Sequence, residues 1–187
     1  MKLVVNGEDF MINGMNWDYI PIGTNTVNAQ FWEKSDDIIK AGLDTEMSLL
    51  RNMGVNVIRQ YTGVPAKWIR YIYEEYGIYT MLNHSFGRYG LTIDGVWTPV
   101  TIYDDPKTQE LLMSEMENLV RDYKNTPGLL MYLLGNENNY GLFWAGAETE
   151  DFPDDQQRID YIGESRGRPM YRLMNEAAKM MKEMDAS

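Results

Sequence analysis

The sequence contains no cysteine and a single histidine, His84. The lack of cysteine excludes disulfides and thiolate metal sites, and one histidine excludes a histidine-rich metal centre. The acidic stretch at residues 148–155 does not have the ligand spacing of an EF-hand calcium loop. We therefore expect a protein that uses no metal and no cofactor.

Basic residues are also scarce, since 17 lysines and arginines stand against 28 acidic residues, for a net charge of −11. This balance argues against nucleic acid and against an anionic membrane surface as partners. No stretch reaches the roughly 18 consecutive apolar residues of a membrane span. The first residues, MKLVVNGEDFMING, do not read as a signal peptide because polar residues follow almost at once. The composition instead fits a neutral partner.

The 187 residues, 44% of them hydrophobic, are enough for one domain with a sizeable core, and we expect residues 1–187 to form a single domain. Hydrophobic periodicity, capping residues and Gly/Pro breaks predict strands that alternate with helices along the chain. The strands are expected at 3–5, 10–16, 55–58, 78–82 and 129–134, and the helices at 44–53, 65–76, 106–123 and from 169 onward. This alternation predicts a parallel sheet with right-handed crossovers, either an open sheet of four units or half of an eightfold barrel.

The most informative stretch is LLMYLLGNENNY, at residues 129–140. Its apolar half follows a Pro-Gly pair and is typical of a strand buried on both faces. Glu137, flanked by amides, comes directly after the strand, where α/β folds place their chemistry. Our hypothesis is that Glu137 is a proton-donating acid and that Asn136 binds substrate beside it.

Polar and aromatic residues also follow the other predicted strands, and the carboxyl ends of parallel strands share one rim. Arg59 and His84 follow two of these strands, and an arginine or a histidine in such a place is also a common structural partner. Trp17 and Trp144 offer flat apolar faces suited to sugar rings, although Trp17 equally fits the core. Since asparagine both donates to and accepts from hydroxyl groups, the set predicts a site for a neutral, polyhydroxylated ligand.

The segments GVNVIRQY, GIYTMLNH and above all LLGNENN resemble the retaining β-glycosidases of clan A. Within that clan the chain is most similar to the catalytic domains of glycoside hydrolase family two and related β-glucan-acting enzymes. The resemblance covers about residues 6–187. It implies an α/β fold of the (β/α)8 TIM-barrel type with only the first four βα units present. It also implies an oligosaccharide or β-glycoside as substrate.

The resemblance implies roles for four of the candidate residues. Glu137 matches the general acid/base at the end of strand four, and Asn136 matches the residue that binds the sugar 2-hydroxyl. Arg59 matches the arginine that orients the nucleophile, and His84 lies where strand three often contacts substrate. The family's nucleophile, a glutamate at the end of strand seven, lies outside this chain. We therefore expect this chain alone to hydrolyse little or nothing.

Two other functions are compatible with the sequence. The first is a non-catalytic carbohydrate-binding or scaffold module with the same fold. The second, an unrelated hydrolase on an open α/β sheet, is disfavoured because the chain has neither a Gly-rich phosphate loop nor a nucleophile elbow. A half barrel would leave its first and fourth strands as open edges, so we also expect self-association.

Overall fold

The computed structural model describes residues 2–19 and 30–185. The polar stretch GTNTVNAQ at residues 23–30, which its composition predicts to be a loop, lies mostly outside the described residues. The chain forms two compact units, described separately below: Met1–Asn83 with Asn125–Leu133, and His84–Lys124 with Leu134–Ser187. The expectation of a single domain stays a prediction.

The first unit begins with a hairpin of two short antiparallel strands, β1 (Val4–Val5) and β2 (Glu8–Asp9). Asn6 and Gly7 form its turn with positive φ angles of 52° and 84°, as the Asn-Gly pair predicts. The second strand of this hairpin therefore lies before the predicted range of 10–16. Only the end of that range is a strand of the main sheet, β3 (Gly14–Asn16).

A four-stranded sheet is the centre of the first unit. Its strands lie in the order β3, β4 (Val57–Tyr61), β5 (Tyr79–His84) and β8 (Leu129–Leu134). β3 pairs with β4 and β4 pairs with β5 in parallel, as the alternation of strands and helices predicts. The last residues of β5 and β8 already belong to the second unit, where the Gly135 N–H donates to the His84 carbonyl at 2.8 Å.

Two helices of the first unit, α1 (Asp36–Asn52) and α2 (Ala66–Tyr76), pack against each other. α1 begins eight residues before the predicted start at Asp44 (44 − 36), because Ser35, Asp36 and Asp37 form the start of this helix. The buried side chains recur at helical spacing, and the core contains Ile39, Leu43, Met47, Ile58, Ile69, Ile72 and Leu82.

The second unit contains a hairpin of β6 (Leu91–Ile93) and β7 (Val96–Thr98), and four helices among its described residues. These helices are α3 (Pro106–Tyr123), α4 (Asn138–Gly141), α5 (Asp155–Tyr161) and α6 (Arg168–Met184), with a π-helical turn at Ile162–Gly167. α3 and α6 pack together through the predicted apolar stripes, which include Leu112, Met116, Val120, Met170, Leu173 and Ala177. None of the described helices combines the length and apolar character that crossing a membrane requires.

Strand β8 differs from its prediction in one respect. All six of its residues are half-buried, rather than buried as a strand covered on both faces would be. In the described sheet, β8 is an edge strand with β5 as its neighbour. The apolar run therefore predicts the strand correctly, but the burial of a strand depends on its neighbours, which its own sequence does not specify.

Candidate active site

Glu137 is exposed, at the point where the chain leaves β8 and enters α4. Its backbone has a left-handed conformation, with φ 53° and ψ 30°. A residue with a side chain seldom adopts this conformation unless its surroundings impose it, and such strain is concentrated at functional sites. The acid predicted from the sequence therefore lies at a solvent-facing, conformationally constrained position.

The buried side chain of Asn138 holds this turn in place. Its Oδ1 accepts a hydrogen bond from the backbone N–H of Asn136 at 2.7 Å, which closes a loop around Glu137. Its Nδ2 donates to the carbonyl oxygens of Ser85 and Phe86 at 3.1 and 2.9 Å. Asn138 thus satisfies backbone groups on both sides of the turn, because a side-chain amide both donates and accepts.

Gly135 makes the close approach of Asn138 possible. Its φ of 89° lies in the left-handed region, and a Cβ built there would lie 2.3 Å from Oδ1 of Asn138. A side chain at this position would clash with the amide that anchors the turn. The glycine of the GNENN sequence is therefore required by packing as well as by backbone conformation.

Asn136 is half-buried, and its Nδ2 donates to the hydroxyl of Tyr89 at 3.0 Å. Tyr89 itself is 55% exposed. Asn136 therefore presents its amide next to Glu137 while a neighbouring phenol holds the orientation of that amide. This arrangement suits a residue that binds a sugar hydroxyl, and the role itself stays a prediction.

In the first unit, Arg59 at the end of β4 is held by two asparagines. Its Nη2 and Nε donate to Oδ1 of Asn83 at 2.8 and 3.2 Å, and its Nη1 donates to Oδ1 of Asn16 at 3.3 Å. Asn83 is fully buried, and its own Nδ2 has no hydrogen-bond partner in the part of the chain that the structure describes. Side-chain amides on the two strands that flank β4 therefore fix the orientation of the guanidinium.

His84, at the end of β5, makes contacts that suit a structural histidine. Its Nδ1 accepts a hydrogen bond from the Phe86 N–H at 3.0 Å, so the proton of the neutral ring resides on Nε2. Nε2 faces a carboxylate oxygen of Glu115 on α3 at 3.4 Å. Burial lowers the pKa of His84 and raises the pKa of Glu115, so the pair is better described as a polar contact than as an ion pair. A substrate contact by His84 stays a prediction.

The two candidate tryptophans have different surroundings. Trp17 is buried, and its ring stacks on that of Tyr19 with the centroids 6.3 Å apart. Trp144 is 44% exposed, and its ring covers the guanidinium of Arg88 with 4.2 Å between Cζ and the ring centroid. Trp144 therefore has a face available to a ligand. Trp17 lies in the core, which is one of the two places that the sequence allowed for it.

Each candidate residue belongs to one of the two units. Asn136, Glu137 and Trp144 belong to the second unit, as does His84. Arg59 and Trp17 belong to the first unit. Within residues 2–19 and 30–185, no group of three or more histidines and carboxylates is arranged to hold a metal ion.

The sequence prediction missed three kinds of supporting residue. Asn138 was counted only among the amides that flank Glu137, although it is the buried anchor of the turn. Asn83, Arg88 and Tyr89 were not among the candidate residues, although Asn83 binds Arg59 and Tyr89 binds Asn136. The GNENN run was a signal for Asn138, since buried asparagines in turns often bond the backbone. Nothing in the local pattern distinguishes Arg88 from a solvated arginine.

Comparison with known proteins places the chain in a family. Residues 1–186 match the family described as "Glycosyl hydrolases family 2, TIM barrel domain". The chain is also similar to a protein named "Beta-galactosidase" from Arthrobacter sp. (strain B7), with 25% identity over 160 residues. That match covers 84% of this chain but only 15% of the length of the relative. The (β/α)8 type predicted from the sequence is confirmed, and the four parallel strands with their helices form part of such a barrel.

Proposed function

Because this chain belongs to the glycosyl hydrolases of family 2, whose TIM barrel domain it matches, we propose that Glu137 is the general acid/base of a retaining β-glycosidase. The supporting observation is the position of Glu137, exposed directly after β8 and constrained in a left-handed turn by Asn138. A proton donor must meet the glycosidic oxygen with a fixed geometry, and a rigid turn provides one.

In this mechanism, protonated Glu137 donates its proton to the glycosidic oxygen as the bond to the anomeric carbon breaks. The resulting carboxylate then takes a proton from the water that releases the sugar from the nucleophile. Double displacement needs a second carboxyl group about 5–5.5 Å from the first. We propose that this nucleophile is supplied from outside these 187 residues.

The remaining candidates bind or orient in this proposal. Asn136 binds the sugar 2-hydroxyl through its amide, which Tyr89 holds in place at 3.0 Å. Arg59 orients the nucleophile, since Asn83 and Asn16 hold its guanidinium in a fixed position. Trp144 provides an exposed apolar face to a sugar ring. A substrate contact by His84 belongs to the same proposal, whereas Trp17 is buried and offers no exposed face to a sugar ring.

The proposed substrate is a β-linked oligosaccharide or another β-glycoside. The name of the Arthrobacter relative makes a β-galactoside the natural first probe. We propose titrating the isotopically labelled chain with methyl β-galactoside and following backbone amide shifts by NMR. We expect the amides of Asn136 and Glu137 to shift, and Asn136→Ala to weaken binding, whereas Asn118→Ala on the exposed surface of α3 leaves it unchanged. Equal weakening by both substitutions would contradict the proposal.

A non-catalytic carbohydrate-binding module is the second candidate. It is favoured by three exposed rings in the second unit, those of Tyr89, Tyr140 and Trp144, which are 55%, 54% and 44% exposed and all lie near the Arg88 guanidinium. Exposed rings bind sugars without chemistry as readily as with it. A chain that binds β-glycosides but shows no Glu137-dependent chemistry with an added nucleophile would identify the binding module.

We also propose that the chain self-associates through open sheet edges. In the described sheet, β3 and β8 are the outermost strands, and all three residues of β3 are exposed. Unpaired strand edges are templates for pairing with another chain. Light scattering after size exclusion is expected to show species larger than 21.7 kDa that grow with concentration. A monomer at all concentrations would contradict this proposal.

A further inference from the structure

Arg88 is a buried charge for which the described residues provide no counter-charge. The residue is 8% exposed, and neither Nε nor Nη1 has a hydrogen-bond partner among the residues that the structure describes. A guanidinium stays protonated in proteins, and buried charges are normally paired or hydrogen-bonded. Arg88 therefore differs from Arg166 of the same unit, whose guanidinium donates to the carbonyl oxygens of Leu142, Trp144 and Ala145.

Aromatic rings surround the Arg88 guanidinium but do not satisfy its donors. Its Cζ lies 4.2 Å from the ring centroid of Trp144, 5.3 Å from that of Tyr89 and 5.9 Å from that of Tyr140. Rings attract the charge through their faces, whereas the N–H groups of a guanidinium point outward within its own plane. The rings thus hold Arg88 in position and leave Nε and Nη1 available to an acceptor.

A small cavity lies beside Arg88, with a volume of about 10 Å³. Its lining includes Thr101, Tyr103, Asn138 and Arg166, and no carboxylate is among the described lining residues. The other polar groups already have partners, since Thr101 donates to the Gly87 carbonyl at 2.5 Å and Tyr103 donates to the Phe86 carbonyl at 2.9 Å. Two arginines without an acid make the cavity attractive to an anion, in a chain whose net charge is −11.

We infer that Arg88 binds the carboxylate of an acidic sugar, so that the glycan substrate carries a uronate. This inference rests on the proposed function. The cavity has room for one water-sized group, so one oxygen of a carboxylate enters it beside Arg88 while the rest of the ligand remains outside. The exposed face of Trp144 provides a place for that ring, and Tyr89 connects the anion site to Asn136 through the 3.0 Å hydrogen bond. A carboxylate supplies the acceptor oxygens that Nε and Nη1 lack.

The test compares methyl β-galacturonide with methyl β-galactoside, which differ only in the oxidation state of C6. Their binding to the full chain is measured by calorimetry at constant ionic strength, because screening by salt would otherwise differ between a charged and a neutral sugar. We expect the uronide to bind at least about tenfold more tightly, as a charge-assisted hydrogen bond in a buried site allows. Arg88→Gln is expected to abolish this preference, and Arg121→Gln, which removes an exposed charge on α3, is expected to retain it.

Sodium acetate distinguishes the sugar from a small free anion. Equal binding of the two glycosides would overturn the inference and leave the proposed function intact. Binding of neither glycoside would overturn both. Acetate could also stabilise the wild type against heat but not Arg88→Gln, while the uronide is not preferred. That result would show that the anion site serves a free carboxylate, and it would also contradict the inference. If Arg88→Gln unfolds, Arg88→Lys keeps the charge, and it is expected to retain part of the preference.

Discussion

The side-chain oxygen of Asn138 lies 2.7 Å from the backbone nitrogen of Asn136, so the two neighbours of Glu137 are joined by one hydrogen bond. The same amide donates to the carbonyls of Ser85 and Phe86, which directly follow β5. The turn that presents Glu137 is therefore fixed from behind by a buried side chain. This relationship explains how a residue with a side chain retains a φ of 53°.

Asn138→Ala is expected to lower the free energy of unfolding by about 2–3 kcal/mol, because buried backbone groups lose their partners. Urea unfolding followed by circular dichroism measures this loss. Asn139→Ala, at the adjacent exposed position, is the matched control and is expected to have little effect. Equal losses in the two variants would show that Asn138 does not anchor the turn.

Glu137→Gly is expected to raise the stability of the chain while removing the proposed acid. Relief of the left-handed backbone outweighs the greater freedom of glycine in the unfolded chain, for a net gain of about 0.5–1 kcal/mol. Differential scanning calorimetry measures the change. Asn125→Gly is the control, since Asn125 has a φ of 70° but asparagine tolerates this conformation, and little gain is expected there. A loss of stability in Glu137→Gly would argue against strain at this site.

Added azide is expected to replace the nucleophile that we place outside the chain. Azide would attack the anomeric carbon of phenyl β-galactoside, Glu137 would protonate the departing phenolate oxygen, and an α-glycosyl azide would form. Without azide we expect little or no release of phenol. Glu137→Gln is expected to abolish the azide-dependent release, and Glu164→Gln, at an exposed position in the same unit, is expected to retain it.

Two outcomes of this assay would contradict the proposal. Robust turnover without azide, abolished by Glu137→Gln, would place the nucleophile within these residues. Azide-dependent release that persists in Glu137→Gln would show that another group donates the proton. Analysis of the product by NMR separates substitution by azide from ordinary hydrolysis, because the α-configured azide forms only by direct displacement.

Asp44 connects α1 to α2 and makes the stability of the folded chain depend on pH in the acid range. Its carboxylate accepts hydrogen bonds from the hydroxyls of Tyr71 and Tyr76, the latter at 2.7 Å, and from Lys40 at 2.9 Å. The hydrogen bond from Tyr71, followed by those from Tyr76 and Lys40, lowers the pKa of Asp44 from 3.8 to about 2. Lys40 also donates to the Tyr71 hydroxyl at 2.6 Å, and this bond, followed by the bond to Asp44, raises the pKa of Lys40.

The sign of the pH effect follows from the lowered pKa of Asp44. The folded chain binds its proton less readily than the unfolded chain, so the stabilisation is present above pH 3.8 and is lost as the pH falls through about 2. Urea unfolding between pH 2 and pH 5 is expected to show a shallower acid limb for Asp44→Asn than for the wild type. Asp18→Asn, at an exposed site, is expected to keep the wild-type slope. Parallel curves for all three proteins would refute this assignment.

Local sequence signals predicted most of the helices and strands. The stripe of Leu112, Met116 and Val120 is buried along α3 as its spacing indicates. The hairpin of β6 and β7 was missed, although its turn contains Asp94 and Gly95 with φ angles of 51° and 78°. A short Asp-Gly pair in a glycine-containing loop is a weak signal unless the flanking strands are recognised as well.

The candidate site was predictable only in part. Glu137 and Asn136 were predictable because a polar cluster directly after an apolar strand is typical of the site-bearing rim of an α/β fold. Arg59 was predictable as a residue but not in its contacts, since Asn83 is 24 residues away in sequence. The contact of His84 with Glu115 could not be predicted either. It depends on how α3 packs, and the residues next to His84 or Glu115 in the sequence do not indicate this.

The sequence by itself determined the alternation of strands and helices, the family resemblance and the position of Glu137 at the end of a strand. Periodicity, capping and turn chemistry are local, so each can be read from neighbouring residues. Tertiary structure decided that Asn138 is buried and fixes the turn, that Arg88 is buried among rings, and that β8 is only half-buried. Each of these depends on residues distant in sequence, because burial and pairing of polar groups are properties of the packed chain.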